Sequence, residues 1–200
     1  MCLLIAAYRF PEFSLLEEAE SRNRDGIGIA WRQPDGKIRM YKGITMDQLK
    51  DFKNLSPGTP MLIHFRIKTV GEAVPELCHP FPISKDVELA RKGIFNSVLA
   101  HNGHINNWQE LVLASLSSEN RLPDGDHWSD TRAMAFLTHI HGPNFLKLVS
   151  GSSRFAILEK EGFRLFGSWH EYDQDIYTSQ YMSKSKSSSS SSSSQTSTKT

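Results

Sequence analysis

A cysteine stands at position 2 of this chain, directly after Met1. Removal of Met1 leaves Cys2 with a thiol nucleophile and a free α-amine on the same residue. The amine has a reference pKa of about 7.7–8.0, so near neutral pH it accepts a proton from the attacking thiol, directly or through a water. Nucleophile and base then belong to one residue. Taken alone, however, Cys2 is better explained as the first residue of a buried strand.

The run His101-Asn102-Gly103 follows an apolar strand pattern and precedes a helical one, which predicts a loop at a strand end. There the side-chain amide of Asn102 and the backbone N–H of Gly103 supply the two donors of an oxyanion hole. Glycine also lets the backbone approach a substrate closely. A simple Asn-Gly turn is the competing explanation.

Two charged residues fit the ends of a free amino acid. Arg66 closes the apolar strand that begins at Met61, where its planar fork of donors suits a carboxylate. Asp130 stands at the predicted start of a helix, where it either caps the helix or binds an α-ammonium group. Capping is the default for an isolated Asp at such a position, so the two explanations stay open.

Together these segments resemble the glutaminase domain of class II glutamine amidotransferases, which are N-terminal-nucleophile hydrolases. The resemblance rests on Cys2, Arg22 with Asp25-Gly26-Ile27-Gly28, His64-Phe65-Arg66 with Thr69 and Gly71, Cys78-His79-Pro80, His101-Asn102-Gly103 and Ser129-Asp130-Thr131. Each motif is weak, but their order and approximate spacing agree from Cys2 to about Thr131.

The resemblance implies a role for each matched residue. Cys2 is the nucleophile, and Asn102 with Gly103 forms the oxyanion hole. Arg66 binds the α-carboxylate of glutamine and Asp130 its α-ammonium. The remaining residues shape the pocket: Thr69 lines it, and Arg22 and Gly28 form the wall beside Cys2.

The implied reaction is hydrolysis of glutamine, or of a γ-glutamyl amide, through a Cys2 thioester with release of ammonia. Two departures concern the cover over the substrate, since many members of the family have an aromatic residue where this chain has Ile67 and a histidine where it has Val70. From a different class of function, a non-catalytic module that senses glutamine or a γ-glutamyl ligand is the alternative.

Hydrophobic periodicity predicts the elements that position these residues. The expected strands are Leu3 to Tyr8, Gly28 to Arg32, Ile38 to Tyr41, Met61 to Ile67, Ile94 to Ala100, Arg154 to Glu159, Phe163 to Ser168 and Asp175 to Thr178. The expected helices are Ser14 to Arg22, Thr45 to Phe52, Asn107 to Ser117, with Asn106 as its N-cap, and Asp130 to His139. Turn chemistry at Pro34-Asp35-Gly36 predicts that two of the strands are joined as a hairpin. This order favours an α+β fold of antiparallel sheets covered by helices. The resemblance implies a four-layer αββα sandwich.

Composition limits the size and class of the domain. The sequence has 200 residues, 38% of them hydrophobic, which suits a single core. We expect a glutamine amidotransferase type 2 domain over 2–182, because from 183 to 200 the chain is almost pure Ser with Lys, Thr and Gln and predicts a disordered tail.

Charge and cysteine content limit the partners. A formal net charge of +1 gives no sign of the basic surface that binds nucleic acid. No apolar run is long enough to cross a bilayer. We therefore expect a cytoplasmic protein that binds a small-molecule substrate, with a separate ammonia-accepting synthase subunit as a possible partner. No cofactor and no metal are expected, because Cys78, His79, His101 and His104 lack the spacing typical of zinc sites.

Overall fold

The computed structural model of the chain describes residues 2–67, 74–118, 121–122 and 127–184. Within these residues the fold is a mixed α+β structure with two antiparallel sheets and five α-helices. The strands are β1 (Leu3–Ala7), β2 (Ile27–Arg32), β3 (Ile38–Ile44), β4 (Met61–Phe65), β5 (Phe81–Pro82), β6 (Lys92–Phe95), β7 (Val98–Asn102), β8 (Arg154–Glu159), β9 (Gly162–Phe166), β10 (His170–Asp173) and β11 (Ile176–Thr178). The helices are α1 (Phe13–Arg22), α2 (Met46–Lys50), α3 (Trp108–Ser115), α4 (Asp130–His141) and α5 (Phe145–Val149).

The larger sheet has seven strands in the order β10-β11-β1-β4-β2-β3-β6, and the smaller sheet has four in the order β5-β7-β8-β9. Strand β1 is central, with β11 on one side and β4 on the other. All five of its residues are buried, which explains why this strand is an unbroken apolar run and does not alternate. The predicted nucleophile, Cys2, therefore precedes a central strand directly.

Three apolar clusters fill the interior. One joins one face of the larger sheet to α1 and α2, through residues such as Ile5, Leu16 and Leu49. A second joins the other face of the larger sheet to the smaller sheet, for example Leu4 with Ala100. The third joins the smaller sheet to α3, α4 and α5, and includes Phe155. The side chains of β1 alternate between the first two clusters, so this strand separates them.

Local signals in the sequence explain several element boundaries. The predicted Pro34-Asp35-Gly36 turn joins β2 to β3, with Gly36 at a φ of 84°. Thr45 forms a capping box with Gln48 at the start of α2. At α4 the N-cap is Ser129, whose hydroxyl accepts a hydrogen bond from the Arg132 N–H at 3.2 Å. Asp130 is thus not needed as the N-cap of its helix.

The predicted single strand from Ile94 to Ala100 is wrong. The chain forms β6 and β7 there, and the two strands belong to different sheets: β6 pairs with β3, whereas β7 pairs with β5 and β8. The polar pair Asn96-Ser97 separates the two strands, and an apolar pattern does not reveal this change of sheet.

The other predicted strands and all four predicted helices are confirmed to within a few residues at each end. The N-cap of α3 is Asn107, not Asn106. Strands β5 and β10 and helix α5 were not predicted. No helix among the described residues is long and apolar enough to cross a membrane. Most of the predicted tail, residues 185–200, lies outside the described residues.

Candidate functional site

A cavity of about 530 Å³ opens beside Cys2, the residue that precedes β1. Its lining combines a thiol, charged groups, imidazoles and two indoles. The described residues that line it are Cys2, His64, Arg66, Ile67, Val74, Leu77, His79, His101, Gly103, His104, Trp108, His127, Trp128, Ser129, Asp130 and Thr131. Its size lies within the range of small-molecule binding sites.

Cys2 occupies the wall formed by the larger sheet. Its Sγ accepts a hydrogen bond from the Ile67 N–H at 3.4 Å and lies 3.6 Å from the Ile67 carbonyl oxygen. Burial raises the pKa of the thiol, while the Ile67 backbone and the charge of Arg66 act in the opposite direction. Because the Ile67 N–H points at the sulfur, a donor is already in place for the thiolate form.

Arg66 follows β4 and reaches the same cavity. Its backbone is held on both sides, since its N–H donates to the Gly26 carbonyl at 3.0 Å and its carbonyl accepts from the Asp25 N–H at 3.0 Å. One guanidinium N–H donates to the Val74 carbonyl at 3.2 Å. A guanidinium carries five N–H donors, so it has more donors than this bond uses.

Asp130 lies on the opposite wall, at the first turn of α4. One carboxylate oxygen accepts from the backbone N–H of Ile105 at 3.1 Å, and the other accepts from the N–H of Thr131 at 2.7 Å. The imidazole of His104 lies 3.4 Å from the same carboxylate. The carboxylate is held rigidly, and the position at a helix N-terminus favours its negative charge.

Asn102 and Gly103 lie where β7 ends. Gly103 lines the cavity with a φ of 142°, and a Cβ there would collide with the side chain of Ser153. Both facts require glycine at this position. Asn102 is buried and does not belong to the lining. Its Nδ2 donates to the Ser179 hydroxyl at 2.8 Å, and since an amide nitrogen carries two hydrogens, one further N–H is present.

Three histidines form part of the lining: His64 and His101 are buried, and His79 is half-buried. The rings of His64 and His79 lie 4.1 Å apart, and the His101 ring stacks on Phe155 at 4.4 Å. Burial lowers the pKa of His64 to about 3 and that of His101 to about 4, and it holds the pKa of His79 well below its usual value. All three are neutral at physiological pH, so they add polar atoms to the cavity without charge.

Four of the residues predicted from the sequence therefore meet at one cavity: Cys2, Arg66, Gly103 and Asp130. Asn102, the residue before Gly103, is buried and is not part of the lining. Thr69 lies outside the described residues.

The structure does not bring Arg22 or Gly28 to the cavity lining. Arg22 ends α1, where its exposed guanidinium pairs with Glu18 at 2.6 Å. Gly28 lies in β2 against the backbone of His79, and a Cβ there would collide with the His79 carbonyl. Gly28 therefore contacts the backbone of His79, and His79 lines the cavity.

Other lining residues were missed or interpreted differently. Trp108 and Trp128 were not among the predicted site residues; both pack on the apolar cluster of the smaller sheet, and both also line the cavity. The proximity of Trp128 to the Ser129-Asp130 motif was a usable signal. Ser179, which contacts Asn102, carried no signal in the sequence, because it is distant along the chain.

No group of three or more His, Cys, Asp or Glu side chains within residues 2–67, 74–118, 121–122 and 127–184 is arranged to hold a metal ion. Neither a scan against protein-family models nor a search of curated proteins finds a match for this chain.

Proposed function

We propose that the chain is an amide hydrolase of the class II glutamine amidotransferase type, with Cys2 as its N-terminal nucleophile. The observation that carries the proposal is the lining of a single cavity. Residues predicted from separate segments of the sequence to be nucleophile, oxyanion donor and substrate ligands, namely Cys2, Gly103, Arg66 and Asp130, all line it. Chance placement of four such residues around one cavity is a weaker explanation.

In the proposed reaction the α-amine of Cys2, freed by removal of Met1, takes the thiol proton as sulfur attacks the amide carbon. The oxyanion that forms accepts hydrogen bonds from the Gly103 N–H and the Asn102 amide. Protonation of the leaving nitrogen by the same amine releases ammonia and leaves a thioester on Cys2. Water, deprotonated by the amine, then attacks the thioester, and glutamate leaves as the thiol is restored.

The charges of the cavity suit the amino-acid end of the substrate. Arg66 binds the α-carboxylate and Asp130 the α-ammonium, each through charge-assisted hydrogen bonds. Burial lowers the pKa of His64, His79 and His101, so these three imidazoles are neutral and do not compete with the substrate for either charged group.

The volume of the cavity bears on the amide substrate. Sites for small-molecule ligands measure roughly 300–1,000 Å³. The cavity measures about 530 Å³, so a γ-glutamyl amide with a substituent on the amide nitrogen is also a candidate. An ammonia-accepting synthase subunit is proposed as a partner only for glutamine itself, because substituted amides release no ammonia.

The fold supports the same family. We propose that the three apolar clusters are the three interfaces of the four-layer αββα sandwich typical of N-terminal-nucleophile hydrolases. In this assignment α1 and α2 form one outer layer, the two sheets form the inner layers, and α3, α4 and α5 form the other outer layer.

A module that binds glutamine or a γ-glutamyl ligand without hydrolysis is the second candidate. One observation favours it: burial raises the pKa of the Cys2 thiol, and the thiol form is a poor nucleophile. Such a module binds the ligand at the same cavity but releases neither ammonia nor glutamate.

The test is to incubate protein that begins at Cys2 with glutamine and a panel of γ-glutamyl amides while following glutamate and the released amine. The proposal predicts hydrolysis that is lost in Cys2→Ala. The comparison variant is Cys78→Ala, which removes the other cysteine, a buried residue outside the cavity lining. Because the Cys78 thiol interacts with the Arg66 side chain, this variant is compared by kcat, which should be kept, and not by KM. Binding without product supports the sensing module, and equal hydrolysis by wild type and Cys2→Ala overturns the proposal.

A further inference from the structure

The chain that follows β11 contacts both halves of the candidate site. Ser179 is fully buried. Its N–H donates to the Leu4 carbonyl at 2.9 Å, and its hydroxyl accepts from the Leu4 N–H at 2.9 Å. Ser179 is thereby fixed to β1 two residues after the nucleophile.

The same hydroxyl contacts the smaller sheet, where it accepts the hydrogen bond from Asn102 Nδ2 at 2.8 Å. One oxygen atom therefore joins β1, the strand that follows Cys2, to Asn102, the proposed oxyanion donor. Leu4 and Asn102 belong to different sheets, so backbone hydrogen bonds between strands do not fix the distance between these two residues. The hydroxyl of Ser179 fixes it instead.

The next residue acts on Cys2 itself. The side-chain amide of Gln180 donates to the Cys2 carbonyl oxygen. The Gln180 backbone is fixed in turn, since its carbonyl accepts from the Thr178 hydroxyl at 2.7 Å. Cys2 is near the chain terminus, and terminal residues are poorly ordered unless such contacts hold them.

We propose that Ser179 and Gln180 are positioning residues for the reaction: Ser179 orients the Asn102 amide, and Gln180 fixes the Cys2 backbone. The inference rests on the proposed function. Because one Asn102 N–H is bound to Ser179, the plane of the amide is set, and the direction of its second N–H is set with it. Oxyanion donors act strongly only when they are oriented before the charge develops.

A purely structural serine makes a different prediction. It would change the free energy of unfolding, but it would alter turnover only in proportion to the fraction unfolded. A positioning serine lowers kcat and leaves KM nearly unchanged in protein that is fully folded, and its effect depends on the presence of Asn102.

The experiment is a double-mutant cycle on Ser179→Ala and Asn102→Ala, with kcat, KM and thermal unfolding measured for each protein. Ser179→Ala should lower kcat about tenfold with KM within about twofold, which is the pattern expected when an oxyanion donor loses its orientation. In the Asn102→Ala background the same substitution should change kcat by less than about twofold, because the group it orients is gone.

Two further variants complete the test. Thr138→Val is the matched control, because the buried Thr138 hydroxyl donates to the Met134 carbonyl within α4 and Thr138 is not among the described residues that line the cavity. It should lower stability and keep kcat. Gln180→Met, at a half-buried position, keeps the side-chain length but removes the donor to Cys2; in folded protein it should lower kcat with KM unchanged.

The outcomes separate the two proposals. If wild type hydrolyses the substrate but folded Ser179→Ala and Gln180→Met retain wild-type kcat, the positioning roles are overturned and the proposed function stands. The role of Ser179 is also overturned if Ser179→Ala lowers kcat by the same factor in the Asn102→Ala background as in wild type. If wild type shows no hydrolysis of any amide in the panel, the proposed function fails and the inference fails with it.

Discussion

The carboxylate of Asp130 accepts a hydrogen bond from the backbone N–H of Ile105 at 3.1 Å. Ile105 lies two residues after Gly103, so this bond ties the loop of the proposed oxyanion donor to the start of α4. The proposed ammonium ligand and the proposed oxyanion hole are therefore parts of one hydrogen-bonded unit. A change at Asp130 should consequently be conservative if binding and catalysis are to be separated.

Arg66 and Asp130 should govern the affinity for the amino-acid end of the substrate. Arg66→Lys keeps the charge but loses the planar fork. Asp130→Asn keeps the shape but loses the charge, together with one of the two oxygens that accept from the Ile105 and Thr131 N–H groups. Each should raise KM by about tenfold or more, in line with the roughly 1.5–3 kcal/mol of a hydrogen bond to a charged group. Steady-state kinetics on glutamine measure this effect. Unchanged KM in both variants would remove these residues from the substrate site.

Asn102 should matter for turnover and little for binding. Removing one oxyanion donor typically costs about 2.7–4 kcal/mol of transition-state stabilisation, so Asn102→Ala should lower kcat about 100-fold to 1,000-fold. KM should change little, because the ground-state carbonyl oxygen depends less on this donor. Thermal unfolding is the control, since a loss of activity that only follows a loss of folded protein indicates a structural role in the turn.

The buried histidines should make the protein sensitive to acid. In the unfolded chain a histidine has a pKa of about 6.5, whereas burial lowers the pKa of His64 to about 3 in the folded state. Between these pH values the unfolded state binds more protons, so the free energy of unfolding falls as the pH drops below about 6.5. The slope is about 1.4 kcal/mol per pH unit for each such histidine.

Urea unfolding of His64→Gln at a series of pH values checks this contribution. Between about pH 4 and 6, the free energy of unfolding of the variant should depend less steeply on pH than that of wild type, by up to about 1.4 kcal/mol per pH unit. His139→Gln is the control, because His139 is exposed in the last turn of α4. A slope in His64→Gln equal to that of wild type would show that His64 is charged in the folded protein.

Gly28 should be required for stability although it does not line the cavity. A Cβ at this position would lie 2.9 Å from the carbonyl carbon of His79 and still closer to its oxygen, and backbone cannot move aside easily. Gly28→Ala should lower the free energy of unfolding by about 1–3 kcal/mol. In Gly93→Ala the atoms nearest to the added Cβ belong to the Phe95 ring, a side chain and not backbone, so the loss should be smaller. Equal losses would contradict this explanation.

The sequence predicted those parts of the structure that depend on local patterns. The apolar run before Tyr8, the Pro34-Asp35-Gly36 turn and the Ser129 region each specify their element through neighbouring residues. The strand from Ile94 to Ala100 was predicted wrongly because alternation and apolarity do not state which sheet a residue joins.

Those residues of the candidate site that match the motifs of a known family could be predicted from the sequence. The roles of Ser179 and Gln180 were not predictable, because their partners at Asn102, Leu4 and Cys2 are distant in the sequence. The neutral state of His64 was also hidden, since its burial arises from packing between separate elements and not from its neighbours in the chain.

The most direct test of the account is rapid-quench mass spectrometry of the protein mixed with glutamine, prepared in two forms that begin at Met1 and at Cys2. The account predicts that only the form beginning at Cys2 accumulates a glutamyl group, that peptide mapping places it on the Cys2 sulfur, and that ammonia appears in step with the adduct. Ammonia release without an adduct on Cys2, or equal release by the form that retains Met1, would contradict the account.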